Sequence, residues 1–152
     1  MKFLLAAVGR AKPGQERSLL EHYAARIKWP LAIKEVEEKR PLPSVERRAR
    51  EAALLLGVVP AGAVVIALDE RGKNLTSADL ARKLGQWRDE GRADVAFLIG
   101  GADGHGPGVK ERADLVLSLG AMTWPHMLVR ALLAEQLFRA QCILEGHPYH
   151  RE

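Results

Sequence analysis

The stretch VAFLIGGADGHGPG, residues 95–108, followed by LVLSLGAMTWPHM, residues 115–127, decides the fold. Val95 to Ile99 and Leu115 to Leu119 are short apolar runs without polar alternation, which suits strands covered on both faces, as in parallel sheets. The first run ends in Gly100 and Gly101 and the second in Gly120, and a helix signal follows each. Pro107 opens a short helix through Arg112, and a long apolar helix runs from Met127 to Leu144. Strand, glycine turn and helix, twice in succession, build a parallel α/β sheet.

The same rhythm extends upstream. Lys2 to Val8 is a strand covered on both faces, and Pro13 and Gly14 open a helix to about Lys28, with Leu19, Leu20, Tyr23, Ala24 and Ile27 on one stripe. Leu31 to Val36 mixes Leu31 and Ile33 with Lys34 and Glu35, so it lies nearer an edge. Ser44 is placed to cap a helix to about Leu56. Ala63 to Leu68 is a buried strand, and Asp69 to Lys73 is the polar turn after it. Thr76 with Asp79 resembles a capping box before a helix from Ser77 whose Leu80, Leu84 and Trp87 share a side. The fold class is α/β: a mainly parallel, five- to six-stranded sheet with helices on both faces.

A chain of 152 residues is expected to form a single domain, residues 1–152, around one core. With 47% apolar and 28% charged residues it belongs to no disordered, collagen-like or disulfide-rich class. The lone Cys142 cannot form an internal disulfide and no Cys/His pair has zinc-ligand spacing, so a reducing cytoplasm and no metal are expected. No membrane partner is expected either. Phe3 to Gly9 lacks a signal-peptide cleavage site, and the uncharged run from Ala52 to Leu68 is broken by Gly57, Pro60 and Gly62.

The formal charge of +4 is unevenly spread. Residues 1–60 carry 12 Lys/Arg against 7 Asp/Glu, a balance of +5, and the remainder carries 11 against 12. The densest part is Lys39, Arg40, Arg47, Arg48 and Arg50, opposed within that stretch only by Glu46. It reads either as a solvated helix face or as a phosphate-contacting patch. The final helix has Leu128, Ala131, Leu132, Leu133, Leu137, Phe138, Ala140 and Ile143 on more than one face. It should therefore be buried on two sides, with a second copy of the chain as the simplest outer cover and the chain itself as the alternative.

Ligands of parallel α/β sheets lie beyond the carboxyl ends of strands. Four turns qualify: Gly9–Arg10, 69–73, 100–108 and 120–126. The third holds five glycines but matches neither a dinucleotide fingerprint nor a Walker A loop, so a purely structural turn stays open. No nucleophile elbow or zinc-protease motif is present, and Cys142 sits in an apolar helix where an inert thiol is the plain reading. His22 falls on a helix surface, and His126, after Pro125, reads as a cap of the last helix. The tail His147-Pro148-Tyr149-His150-Arg151-Glu152 concentrates imidazole, phenol, guanidinium and carboxylate where chains are usually dull. A frayed end is the alternative.

VAFLIGGADG, and then LVLSLGAMTWPHMLVRALLAEQLFRAQCILEGHPYHRE, closely resemble the C-terminal region of the RlmH (YbeA-like) methyltransferases, small members of the SPOUT class. The opening KFLLAAVGRAK, the LDERGK turn and the length fit as well. The resemblance implies an S-adenosylmethionine-dependent homodimer that methylates N3 of a pseudouridine in 23S rRNA of the assembled ribosome. It also implies a C-terminal trefoil knot, which strand patterning could not have suggested. Carried over by motif, the cofactor pocket is Leu68, Gly100, Leu119, Gly120, Ala121, Met122, Thr123 and Trp124. Gly120 stands where the family often has serine, and Trp124 where it usually has leucine or phenylalanine.

Methyl transfer from a sulfonium needs in-line approach and removal of the N3 proton, without a metal. The expected catalytic group is the tail. His150 would accept the proton or position the base, Tyr149 would stack on it, and Arg151 would hold the developing anion or a phosphate, with the site completed across a dimer. Arg130 either supports the pocket or is an ordinary helix charge. A non-enzymatic ribosome-binding factor or a nucleotide-binding α/β module is the alternative function.

Overall fold

The computed structural model describes residues 1–151; Glu152, the carboxylate of the tail motif, lies outside the described residues. Five strands and five helices alternate along these residues: β1 Lys2–Val8, α1 Gln15–Ala24, β2 Leu31–Val36, α2 Ser44–Gly57, β3 Val64–Asn74, α3 Ser77–Asp89, β4 Asp94–Ile99, α4 Pro107–Arg112, β5 Leu115–Ser118 and α5 His126–Glu145. The strands form one sheet in the order β2-β1-β4-β3-β5, and every pair is parallel. The mixed-polarity strand β2 is at an edge, and the apolar β1, β4 and β3 are central. Their side chains, including Leu5, Ala6, Val64, Ile66 and Phe97, are fully buried because helices cover both faces.

The sheet divides the interior in two. On one face Phe3, Ile66 and Phe97 pack with Leu80 and Leu84 of α3 and Leu133 and Leu137 of α5. On the other, Leu4, Val65 and Leu98 meet Ala52 and Leu55 of α2 and Val109 of α4. A small third cluster joins Leu20 and Tyr23 of α1 to Ala131 and Ala134 of α5. The two-sided burial of α5 is thus met within the chain by α1 and α3. Leu128, Leu132 and Ile143 of this helix stay half-buried in the single chain.

Four local expectations are corrected. The first helix ends at Ala24 rather than near Lys28, since Pro30 and the packing of Trp29 on Phe3, with ring centroids 5.0 Å apart, require an extended approach to β2. Pro43, not Ser44, is the N-cap of α2, and no side-chain cap forms. Pro125 is likewise the N-cap of α5, leaving His126 as its first residue. The polar turn after Leu68 lies inside β3, where Leu68 and Lys73 both pair with Leu117 of β5 and residues 69–72 bulge between them. Thr76 does cap α3, its hydroxyl accepting from the Asp79 N–H at 3.0 Å.

Candidate active site

The carboxyl ends of β3, β4 and β5 open on one edge of the sheet, and a cleft of about 470 Å³ lies there. Its walls come from the bulge after Leu68, the glycine loop after Ile99, and the segment from Leu119 to His126. The bulge exists because Gly72 has no side chain: a Cβ there would lie 2.6 Å from the Val116 carbonyl oxygen. Gly104 and Gly120 hold φ of 81° and 114°, a left-handed conformation that favours glycine. Ser118 fastens the two walls by donating to the Glu70 carbonyl at 3.0 Å and accepting from the Gly120 N–H at 3.0 Å.

Seven of the expected cofactor residues line this cleft: Leu68, Gly100, Leu119, Gly120, Met122, Thr123 and Trp124. Ala121, which is exposed, is not among them. Trp124 donates its indole N–H to the Leu119 carbonyl at 3.3 Å, stapling the loop across its base. Sequence reasoning missed Asp69 and His105, which also line the cleft. Burial pushes the Asp69 carboxyl up, but the Arg71 N–H and Lys110 outweigh it, so the group stays below its ordinary range and charged. His105 is buried, with Nε2 3.1 Å from the Leu98 carbonyl, and burial holds its imidazole below the usual value. It is neutral at pH 7, Nε2 carries the proton, and Nδ1 is a bare acceptor without a partner.

The expected catalytic residues are elsewhere. Gly146, left-handed at φ 72°, turns the chain back along α5. Tyr149 then donates its hydroxyl to Glu135 at 3.0 Å, and its ring lies 4.6 Å from that of Phe138 with the Arg139 guanidinium 4.9 Å from its centroid. Burial and the Glu135 bond push the phenol up to about 12, so it is un-ionised at neutral pH. His150 Nδ1 stands 3.2 Å from Nη1 of Arg139. A guanidinium only donates, so Nδ1 accepts and Nε2–H is the face His150 offers. Arg151 is exposed. None of the three lines the cofactor cleft. The tail instead reaches, through Glu135, a neighbouring cavity of about 440 Å³ that shares Leu119, Gly120 and Trp124 with the cleft.

Arg130 is no surface charge: it is 2% exposed, pairs with Glu35 and donates to the Gly9 carbonyl at 3.0 Å, fixing the turn after β1. The basic stretch is also more tied down than its composition suggests. Arg40 and Arg50 both reach Glu38, at 2.9 and 3.4 Å, and Arg47 donates to the Glu38 and Arg40 carbonyls. The counter-charge is a residue just upstream of the counted run. No helix of the described residues is long and apolar enough to cross a membrane.

The cleft suits a nucleoside thioether. Its volume is in the range of small-molecule sites, Leu68, Ile99, Leu119 and Val129 offer apolar walls for adenine and sulfur, and the glycines let the backbone approach a ligand closely. A parallel sheet with such a cleft at the ends of β3, β4 and β5 is the framework of an α/β protein that binds a nucleoside cofactor. Residues 1–150 match the family model described as "Predicted SPOUT methyltransferase", and the chain belongs to the SPOUT methyltransferase family, whose enzymes use S-adenosylmethionine. Its relatives include the ribosomal RNA large subunit methyltransferase H of Paramagnetospirillum magneticum, 63% identical over 151 residues and 99% of both chains. The protein of the same name from Rhodospirillum rubrum is 62% identical over 151 residues, again 99% of both. Among solved structures, the SpoU methyltransferase AviRb from Streptomyces viridochromogenes has the same fold at TM-score 0.51 and 13% identity, matching 96% of this chain and 61% of that one.

Proposed function

We propose that this chain, acting as a single domain, transfers the methyl group of S-adenosylmethionine to N3 of a pseudouridine in 23S rRNA of the assembled ribosome, in the bacterial cytoplasm. The observation that carries this reading is the gathering of Leu68, Gly100 and the 119–124 segment, far apart in sequence, around one cleft in a chain of this family. The cofactor supplies an electrophilic methyl on a sulfonium. Leu68, Leu119 and Val129 exclude water around it, and Gly100, Gly120 and Thr123 hold it through backbone and hydroxyl groups.

The protein's remaining task is to present the N3 lone pair in line and to take or dissipate the N3 proton. Tyr149, His150 and Arg151 are the substrate side of the site. Because the tail packs against α5, apart from the cleft of the same chain, the reading includes a homodimer in which the tail of one copy completes the cleft of the other. His150 positions the base through its Nε2–H, and Arg151 offsets the developing imide anion. The threading of the C-terminal segment belongs to the same reading. Its support is the way β5 emerges against the bulge, with Ser118 bonded to Glu70.

Labelled methyl transfer to intact ribosomes, isolated subunits and free rRNA, with mapping of the modified base, tests the proposal. Incorporation at N3 of a 23S pseudouridine, strongest on intact ribosomes, is expected; no incorporation into any of the three would refute it. A non-enzymatic binding module is disfavoured by the family assignment.

A further inference from the structure

Of the four turns at strand carboxyl ends, Gly9–Arg10 after β1 takes no part in the proposed mechanism. A pocket of about 280 Å³ opens there, lined by Arg10, Lys12, Arg17 and Arg130 together with the apolar Leu20 and Met127. Glu16 is the one carboxylate on its wall. Because every strand pair is parallel, the end of β1 lies on the same edge of the sheet as the cofactor cleft. Met127 lines the pocket and its neighbour His126 lines the cleft, so the start of α5 stands between the two.

The cations are held from outside the pocket. Glu37 accepts from Arg10 Nε at 3.1 Å and Glu21 from Arg17 Nε at 3.1 Å, and neither carboxylate is part of the lining. Each of these guanidiniums keeps both Nη groups without a hydrogen bond among the described residues. Lys12 is exposed and has no ion pair among those residues. Arg130 is the buried member: Glu35 and the Gly9 carbonyl engage its Nη groups, and its Nε has no partner. Glu35 also accepts from the Ala11 N–H at 2.6 Å, which ties the turn carrying Arg10 and Lys12 to that buried pair. Four cations against one carboxylate on a concave surface focus a positive field where an anion can enter.

We propose that this pocket binds a backbone phosphate of the rRNA segment that carries the target base; the proposal rests on the reading of the chain as an rRNA methyltransferase. The pocket is smaller than the cleft and falls below the roughly 300 Å³ at which sites enclosing whole small molecules begin, so it fits a charged group of a larger ligand. Guanidiniums with free Nη groups match phosphate oxygens, and an RNA strand offers a phosphate at every nucleotide. Such a contact fixes the position of the strand without reading its sequence. It also lies outside the basic 39–50 stretch, whose Arg40, Arg47 and Arg50 are engaged by Glu38 and by backbone carbonyls.

The test is equilibrium binding to intact ribosomes across a salt series, for wild type, Lys12→Gln with Arg17→Gln, and Lys2→Gln with Arg88→Gln. The last pair removes the same charge from exposed residues at the opposite edge of the sheet, where β1 begins and α3 leads into β4. The pocket variant should bind roughly tenfold to a hundredfold more weakly, with a salt slope shallower by about one to two. Its KM for ribosomes should rise by a similar factor with kcat retained, and its S-adenosylmethionine affinity in calorimetry should equal that of wild type. The control pair should keep the wild-type slope. An unchanged slope in the pocket variant, or an equal loss in both variants, would overturn the proposal. Loss of a dimer in analytical ultracentrifugation with ribosome affinity retained would assign the pocket to an acidic group of a second copy, and would overturn it as well. If wild type bound ribosomes but transferred no methyl group, the proposed function would fall, while the phosphate contact, read from binding alone, would stand.

Discussion

His105 shows how one buried side chain ties the cleft to solution conditions. Its neutral ring is held under Gly100 by the Leu98 carbonyl, and burial depresses its pKa below the ordinary 6.5. A histidine with a depressed folded-state pKa costs nothing above the unfolded value; as pH falls below it, the unfolded chain takes up a proton that the folded chain resists. Wild type should therefore lose stability from about pH 6.5 downward more steeply than His105→Leu, as measured by chemical denaturation at a series of pH values. Parallel slopes for the two proteins would contradict the buried neutral ring. Glu38 works in the opposite sense: the Arg40 side chain and N–H hold it at about 2, so its favourable contribution persists until strongly acid pH. Neither role was legible in the sequence. His105 read as one glycine-loop residue among others, and Glu38 fell outside the basic run that it neutralises.

At the scale of elements, glycines separate structural demand from conformational convenience. Gly72 sits in the β3 bulge, where a Cβ would meet the Val116 carbonyl oxygen at 2.6 Å, and this neighbour is backbone that cannot swing aside. Gly72→Ala should cost about 2–3 kcal/mol in denaturant melts and weaken S-adenosylmethionine binding by displacing the bulge. Gly57, the last residue of α2, has nothing within 4 Å of the corresponding position and no left-handed φ. Gly57→Ala should therefore stabilise by about 0.5 kcal/mol through the unfolded chain. If both variants had the same melting behaviour, the tight β3–β5 approach would be wrong. The periodicities placed all ten elements; the two large shifts of an end are at α1, which stops at Ala24 ahead of Trp29-Pro30, and at β3, which runs on through the bulge to Asn74. The bulge was read as a turn because one residue of β5 facing two of β3 leaves no trace in a linear pattern.

For the whole molecule, the separation of tail and cleft within one chain sets the decisive functional test. Replacing Tyr149 and His150 together by Ala should abolish methyl transfer to ribosomes and leave S-adenosylmethionine affinity intact in calorimetry, since neither residue lines the cleft. Retained turnover would remove the tail from the mechanism. The basic N-terminal half poses a different question, because Arg47 donates to backbone carbonyls and Arg40 and Arg50 share Glu38. Lys39 is exposed and has no ion pair among the described residues, so Lys39→Gln combined with Arg50→Gln probes RNA contact with little structural cost. Ribosome binding by this variant should be weaker and its dependence on salt shallower by about one to two counterions. An unchanged salt slope would place the RNA surface elsewhere.

The sequence by itself determined the parallel α/β class, the edge position of β2, the glycine-rich turns at the strand ends, and, through the motifs at 95–104 and 115–152, the SPOUT family. These follow from local apolar runs, turn residues and spacing, each a property of neighbours along the chain. Only the tertiary structure decided that α1 and α3 cover α5, that Leu68, Gly100 and Trp124 share a cleft with Asp69 and His105, and that Arg130 joins Arg10, Lys12 and Arg17 around one pocket. The tail's place against Glu135 and Arg139 belongs to the same group. Each depends on which groups meet across long loops, and burial, charge compensation and steric room are defined only once they have met.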